Sequence, residues 1–368
     1  GDELLVCIAD MLRDRLRETD ILARLGGDEF AVILPHTNTE QVLMLSKQLG
    51  ELIRNHNFVT KNGRHINICV SIGMVLFPEH GSDADTLLAY SDLALYKAKE
   101  EGKNRECLFS SDDKAHLDLQ LDWKRRIQDA LKYDRFLLYL QPIMEIGTNT
   151  IVGYEALLRM VDEDGKIVAP AAFLSISERF GLIREIDRWV ALCAIQIIKE
   201  KQLDRKGKFL EVNLSGKAFT NTGLLQDIKD AFNITGINPR NLIFEITETA
   251  IIENVTKAQH FINSLKEMGC RFALDDFGNG FSSFNYLKHL PVDTLKIDGS
   301  FIQNLPQSTV DQHLVKAMVE VARGLGKQTV AEYVESKETL QLLSEFGINY
   351  AQGYYIGRPG KIIVILGY

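Results

Sequence analysis

In the second half of the chain, short apolar runs alternate with stretches of helical spacing, and many of the runs end on a polar residue. Phe136 to Glu145 and Ile151 to Met160 flank the turn Gly147-Thr148-Asn149, which predicts an antiparallel hairpin. Strand-like runs follow at Phe209 to Leu214, Leu242 to Thr247, Arg271 to Leu274, Thr294 to Ile297, Gln328 to Val334 and Tyr350 to Ile356, with amphipathic helical patterns between most of them. Eight strands in roughly 240 residues predict an α/β fold, a TIM-like (β/α)8 barrel with one strand made antiparallel by the opening hairpin.

The first part of the chain has a different rhythm. A helix with Leu5, Ile8, Ala9, Leu12 and Leu16 on one face leads to strands Ile21 to Leu25 and Phe30 to Leu34, joined by Gly26-Gly27-Asp28-Glu29. A helix from Gln41 to Arg54, two strands flanking Asn62-Gly63, the run Ile68 to Phe77 and a helix from Ala84 to Lys99 follow. The polar stretch Phe109 to Asp113 then caps an amphipathic helix, Leu117 to Tyr133, which reads as a linker. The pattern predicts an α+β region over residues 1–110, a helical linker and barrel entry over 111–133, and the barrel over 134–368.

Polar side chains interrupt the barrel strands. Glu155, Asn213, Glu245, Asp275 with Asp276, Lys296, Glu332 and Gln352 fall in or at the end of separate strands among Val, Leu, Ile and Phe. Singly, each has an ordinary explanation: Glu155 pairs with Arg159, Asn213 caps the turn at Ser215, Glu332 and Glu335 are surface acids. Together they argue for a site, since buried strands rarely carry so many polar residues. The rim of a barrel brings strand ends together. Oxygen ligands without His or Cys suit magnesium or manganese rather than zinc. Asp275 and Asp276 repel unless a cation lies between them. Behind them, a glycine-rich turn at 277–280 and a short helix capped by Ser282 or Ser283 lead to Lys296, a candidate base.

Charge and cysteine usage narrow the ligand class. The net charge is −8 and no basic run occurs, which argues against binding a DNA or RNA polymer and requires metal to hold any anionic ligand. Five scattered cysteines imply free thiols in a reducing compartment, with neither a disulfide frame nor a zinc site. The apolar runs at Trp189 to Ile198 and Lys361 to Leu366 are too short to span a bilayer, so the expected location is the cytoplasm, with any anchor or sensor lying upstream.

Two sets of motifs resemble known families. Arg24-Leu25-Gly26-Gly27-Asp28-Glu29-Phe30, Ser71-Ile72-Gly73, Tyr96-Lys97-Ala98-Lys99 and Gly102-Lys103-Asn104 resemble the GGDEF, or diguanylate cyclase, family over roughly residues 1 to 110. The resemblance implies metal holding by Asp28, GTP binding that involves Glu29, phosphate contacts from Lys99 and Lys103, and an inhibitory product site at Arg17 and Asp20. The family's first half has no counterpart before Gly1, so this copy is expected not to make cyclic di-GMP. A complete upstream half would make the protein bifunctional.

Tyr154-Glu155-Ala156-Leu157-Leu158-Arg159, Glu211-Val212-Asn213, Phe244 to Glu248, Asp275 to Gly278 with Gly280, Lys296-Ile297-Asp298, Ala331-Glu332 with Val334-Glu335, and Gln352-Gly353 resemble the EAL family of cyclic di-GMP phosphodiesterases. This resemblance implies a TIM-like barrel, hydrolysis of cyclic di-GMP to linear pGpG, two magnesium or manganese ions and a homodimer. Glu155, Asn213, Glu245 and Asp275 would hold one ion, and Asp275, Asp276 and Glu332 the other. Lys296 would orient or deprotonate the water that Gln352 helps place. Gln141, Arg159, Asp298 and Glu335 would serve the substrate, and Glu248 would brace the loop after Asp276. Met160 and Tyr333 depart from the family pattern, the latter replacing a glycine, and neither removes a ligand. A non-catalytic cyclic di-GMP receptor is the alternative.

Overall fold

The computed structural model describes residues 2–26, 28–56, 58–59, 65–66, 68–253, 255–278 and 287–366. Contacts divide the chain into two compact units, residues 1–122 and 123–368.

In the first unit, helix α1 (Asp2–Arg13) precedes strands β1 (Ile21–Gly26) and β2 (Glu29–Ile33), paired antiparallel with Ile21 opposite Ile33. Helix α2 (Thr39–Asn55) starts at a reciprocal cap. Asn38 Oδ1 accepts from the Gln41 amide at 2.9 Å, and Gln41 Oε1 accepts from the Asn38 amide at 3.1 Å. Its Leu49 and Ile53 pack with Leu12 of α1 and with Phe58 of β3 (Phe58–Val59), which pairs with β4 (His65–Ile66). The Asn62-Gly63 turn and Gly27 lie outside the described residues.

Of the run 68–77, only β5 (Ile72–Met74) is a strand. It pairs in parallel with β6 (Glu106–Leu108), whose three residues are too short to show alternation in the sequence. Helix α3 (Ala84–Glu100) crosses β5 closely, and a Cβ on Gly73 would overlap the α3 backbone at Ser91 and Leu95. Glycine is required there by packing. Helix α4 (Ser111–Lys132) contains the predicted linker helix and runs across the division between the units.

The second unit is a closed barrel of eight strands. Strands β7 (Phe136–Glu145) and β8 (Thr150–Val161) form the predicted hairpin, in register from Phe136 opposite Met160 to Glu145 opposite Thr150. From β8 the sheet continues in parallel through β10 (Phe209–Asn213), β11 (Leu242–Thr247), β12 (Arg271–Phe277), β13 (Thr294–Ile297), β14 (Gln328–Ala331) and β15 (Tyr350–Ala351). Strand β15 closes the ring antiparallel to β7. Two short strands are added at the sides: β9 (Ile167–Val168) on β8 and β16 (Gly360–Lys361) on β7.

Strands β14 and β15 end earlier than their apolar patterns suggest. The chain turns at Tyr333, whose φ is +54°, and the segments beyond the two strands bond to each other instead. The Val334 amide donates to the Gln352 carbonyl at 3.0 Å, and the Tyr355 amide donates to the Val334 carbonyl at 3.0 Å.

Side-chain alternation sorts the barrel into an outer apolar shell and an inner column that changes character with height. On β10, Leu210 and Val212 face the surrounding helices, whereas Phe209, Glu211 and Asn213 climb the interior. Phe209, Ile143, Ile243 and Ala273 form an apolar floor with Val152 and Tyr350. Gly153 sits beside Phe209 because a Cβ there would run into the Phe209 ring.

Candidate active site

Above the apolar floor the inward positions become acidic, and they meet around one buried cation. The Lys296 side chain is fully buried, and its Nζ lies 2.7 Å from Glu245 Oε2, 2.9 Å from Glu332 Oε1, 3.6 Å from Glu155 Oε2 and 3.9 Å from Asp275 Oδ1. These carboxylates come from β8, β11, β12 and the turn after β14. One oxygen each from Glu155, Glu245 and Glu332 falls within 4.8 Å of the others.

Glu155 is the hub of the polar network. Asn213 Nδ2 donates to its Oε1 at 2.7 Å, and Gln352 Nε2 donates to its Oε2 at 2.6 Å. Gln352 also donates to Gln141 Oε1 at 3.2 Å, and Gln141 Nε2 donates to the Gly357 carbonyl at 3.2 Å.

Four carboxylates share one ammonium, so the negative charge exceeds the positive. Burial followed by the neighbouring Glu155 carboxylate drives Glu245 well above the ordinary carboxylate range. Burial pushes Glu332 up to about 7, with Asp275 adding to the shift. Burial alone would depress the Lys296 ammonium, but Glu155, Glu245, Glu332 and Asp275 reverse this and hold it well above its usual value. Lys296 therefore enters as a cation.

Several buried acceptors here lack a hydrogen-bond partner, among them Glu211 Oε2, Asp275 Oδ1 and Gln352 Oε1. Desolvated oxygens of this kind are costly unless something positive or hydrogen-bearing meets them. An all-oxygen donor set with surplus negative charge fits hard divalent cations.

Asp276 has φ +56° and Tyr333 φ +54°, left-handed conformations that bulky side chains resist. Burial, then repulsion from Asp275 and Asp298, lifts Asp276 to about 6. Asp298 accepts from the Ser300 amide at 2.9 Å, and Glu248 is buried at the start of α8 (Glu248–Glu253). Arg159 is not brought to the carboxylates. It donates to the Leu158 carbonyl at 2.7 Å and lies over the Tyr139 ring, while Glu335 is exposed. Gly280, Ser282 and Ser283 lie outside the described residues.

Residues 124–359 match the family model for the EAL domain. The chain belongs to the EAL family. Residues 1–105 match the model described as diguanylate cyclase, GGDEF domain. Cyclic di-GMP phosphodiesterase PdeB of Shewanella oneidensis is 36% identical over 98% of the chain and 42% of its own length. The bifunctional diguanylate cyclase/cyclic di-GMP phosphodiesterase MucR of Pseudomonas aeruginosa is 32% identical over 98% of the chain and 52% of its own length. The chain thus spans about half or less of these relatives. A solved structure of the PaMucR phosphodiesterase with c-di-GMP matches 66% of the chain and 99% of that structure, at a TM-score of 0.63 and 32% identity.

Two buried acids of the EAL barrel carry no assignment in the sequence. Glu211 enters there only within Glu211-Val212-Asn213. Its position two residues before Asn213 puts it on the same inward face, where burial, opposed by Lys296, lifts it to about 7. Asp187, on α6 (Ile183–Lys201), accepts from the Ser215 amide at 3.1 Å and from Ser215 Oγ at 2.6 Å, fixing the loop that follows Asn213. Nothing in a helical pattern marks that contact in advance.

Burial raises Asp187 to about 6, against the Ser215 hydrogen bonds, which lower it. Because the folded chain holds this proton more tightly than the unfolded chain, the stabilisation is complete below about pH 4 and lost as pH rises past about 6. Asp187→Asn keeps an uncharged partner for Ser215. The variant is expected to gain on the order of 2 kcal/mol over the parent at pH 7.5, and nothing near pH 4. Thermal unfolding midpoints of both proteins at the two pH values check this, and a gap that does not depend on pH refutes it.

In the GGDEF unit, Arg17 and Asp20 border a cavity of about 340 Å³ with Arg13, Leu16, Glu18 and Leu22. The Arg17 amide donates to Asp20 Oδ2 at 2.8 Å, and Asp20 Oδ1 is buried without a hydrogen-bond partner. Gly26 ends β1, Asp28 lies in the turn, Glu29 opens β2, and Phe30 packs into the core of this unit. Lys99 and Lys103 are exposed.

Proposed function

We propose that the EAL barrel is a metal-dependent phosphodiesterase that hydrolyses cyclic di-GMP to linear pGpG. The observation that carries this reading is the convergence of Glu155, Glu245, Asp275 and Glu332 on the Lys296 ammonium within 4.0 Å, beside buried acceptors that lack partners. Glu155, Asn213, Glu245 and Asp275 would hold one magnesium or manganese ion, and Asp275, Asp276 and Glu332 a second. Such ions, when bound, supply positive charge for a phosphate and lower the pKa of nearby water toward neutrality.

The chain's own side chains do the rest. Gln352 Oε1, buried and without a hydrogen-bond partner, would accept a hydrogen bond from the attacking water, whose proton ends on the departing 3′ oxygen, while its amide nitrogen is anchored on Glu155 and Gln141. The Lys296 ammonium offsets negative charge as water adds to phosphorus and the ribose 3′ oxygen leaves. Gln141, Arg159, Asp298 and Glu335 stand as substrate contacts; Arg159 and Glu335 would have to swing inward. Glu248 supports the loop beyond Asp276.

The GGDEF unit is assigned a regulatory part, with nucleotide held at Asp28, Glu29, Lys99 and Lys103 and product at Arg17 and Asp20. A cytoplasmic homodimer is the expected working form. The central test is incubation of the protein with cyclic di-GMP and manganese, with chromatographic detection of the linear dinucleotide. Product that forms with manganese and stops when a chelator is added is the expected result. Tight binding without product would make the barrel a receptor instead.

A further inference from the structure

Tyr333 directly follows Glu332, yet nothing about burial explains why a bulky residue occupies that backbone. Its φ of +54° belongs to the left-handed region, which glycine enters freely and a tyrosine only against steric resistance. The residue remains 56% exposed, so burial in the core does not offset the strain. Its position is nevertheless fixed. A Cβ on Gly299 would overlap the Tyr333 ring, so the ring rests on bare backbone next to Asp298. On the other side, Val334 is bonded to the Gln352 carbonyl and Glu332 reaches Lys296 Nζ at 2.9 Å. Tyr354, farther along the same rim, already has the Arg358 guanidinium 4.2 Å from its ring centre. Tyr333 stands more than half open, one residue along the chain from a member of the carboxylate cluster.

An exposed aromatic ring, held in a strained conformation at the mouth of a site, has the attributes of a ligand platform. We propose that Tyr333 is a substrate-binding residue on which a purine base of the substrate stacks while its phosphodiester lies at the carboxylates, an inference that rests on the phosphodiesterase reading. Aromatic rings stack on any base with little regard to its edge. The residue thus contributes affinity for a nucleobase and leaves the chemistry to the cluster below.

The test compares Tyr333→Gly and Tyr333→Phe with the parent protein. Cyclic di-GMP affinity is measured by calorimetry in calcium, and KM and kcat are measured in manganese. Tyr333→Gly is expected to raise both Kd and KM by about 5- to 50-fold, the range of one base–aromatic stack, with kcat moving less than about threefold. Tyr333→Phe is expected to restore affinity to within about twofold, since the ring remains. The glycine variant should also unfold at a higher temperature than the parent, because it relieves the backbone; a tyrosine kept for structure would show the opposite. Unchanged Kd in the glycine variant, or a phenylalanine variant as weak as the glycine one, overturns the proposal. Absence of linear product from the parent protein refutes the phosphodiesterase reading alone, since the affinity ratio still judges Tyr333. Absence of any cyclic di-GMP binding refutes both.

Discussion

Replacing Lys296 with methionine is expected to lower cyclic di-GMP turnover by about 100- to 1,000-fold, the usual loss when one preorganised charge is removed from a reacting centre. The same change should destabilise the metal-free barrel by about 3–5 kcal/mol, because it strips the shared partner from buried carboxylates. Both effects follow from the four ion-pair distances at its Nζ, the longest of them 3.9 Å. The stability loss has a pH signature. Carboxyls without a cation take up protons as pH falls, so the gap between variant and parent should shrink from pH 8 to pH 6. Manganese should raise the unfolding midpoint of the variant more than that of the parent. Unfolding scans with chelator and with manganese at both pH values check this, and an indifferent midpoint would show that Lys296 does not hold the cluster together.

Glu155→Ala should behave differently, and the contrast separates catalysis from folding. Turnover is expected to fall by roughly a thousandfold or more, since one side chain anchors Asn213 and Gln352 and would also ligate metal. Stability without metal should change by no more than about 1 kcal/mol, because the lost hydrogen bonds are offset by the removal of one mutually repelling carboxylate. Metal affinity, followed by calorimetry, should fall with turnover. A variant that unfolds as readily as Lys296→Met would mean that Glu155 is primarily a structural partner.

Much of this was legible in the amino-acid order because a barrel strand has period two and its polar exceptions are conspicuous. Glu155, Glu245 and Lys296 could be picked out because each interrupts an apolar run, and the structure buries all three together. Strand ends were less legible. The strand-like letters from Gln328 to Val334 continue past the point where Tyr333 turns the backbone, and no pattern of hydrophobicity encodes a positive φ. Strand β6 was missed because three residues carry no period. Asp187 was missed because its partner, Ser215, lies on another element, and only the folded packing of α6 against the loop after β10 makes the pair. The surroundings of Lys296 were illegible for a related reason: sequence shows a lone lysine in a strand, while its four acidic neighbours come from elsewhere in the chain.

The apolar floor has a consequence for traffic through the proposed active site. Phe209 and Tyr350 meet edge to face inside the barrel with ring centres 6.4 Å apart, and Gly153 lets the Phe209 ring press against β8. With that end filled, the proposed phosphodiesterase would admit its cyclic dinucleotide and release the linear one through the same doorway. The spent molecule would then have to vacate the threshold before the next could enter.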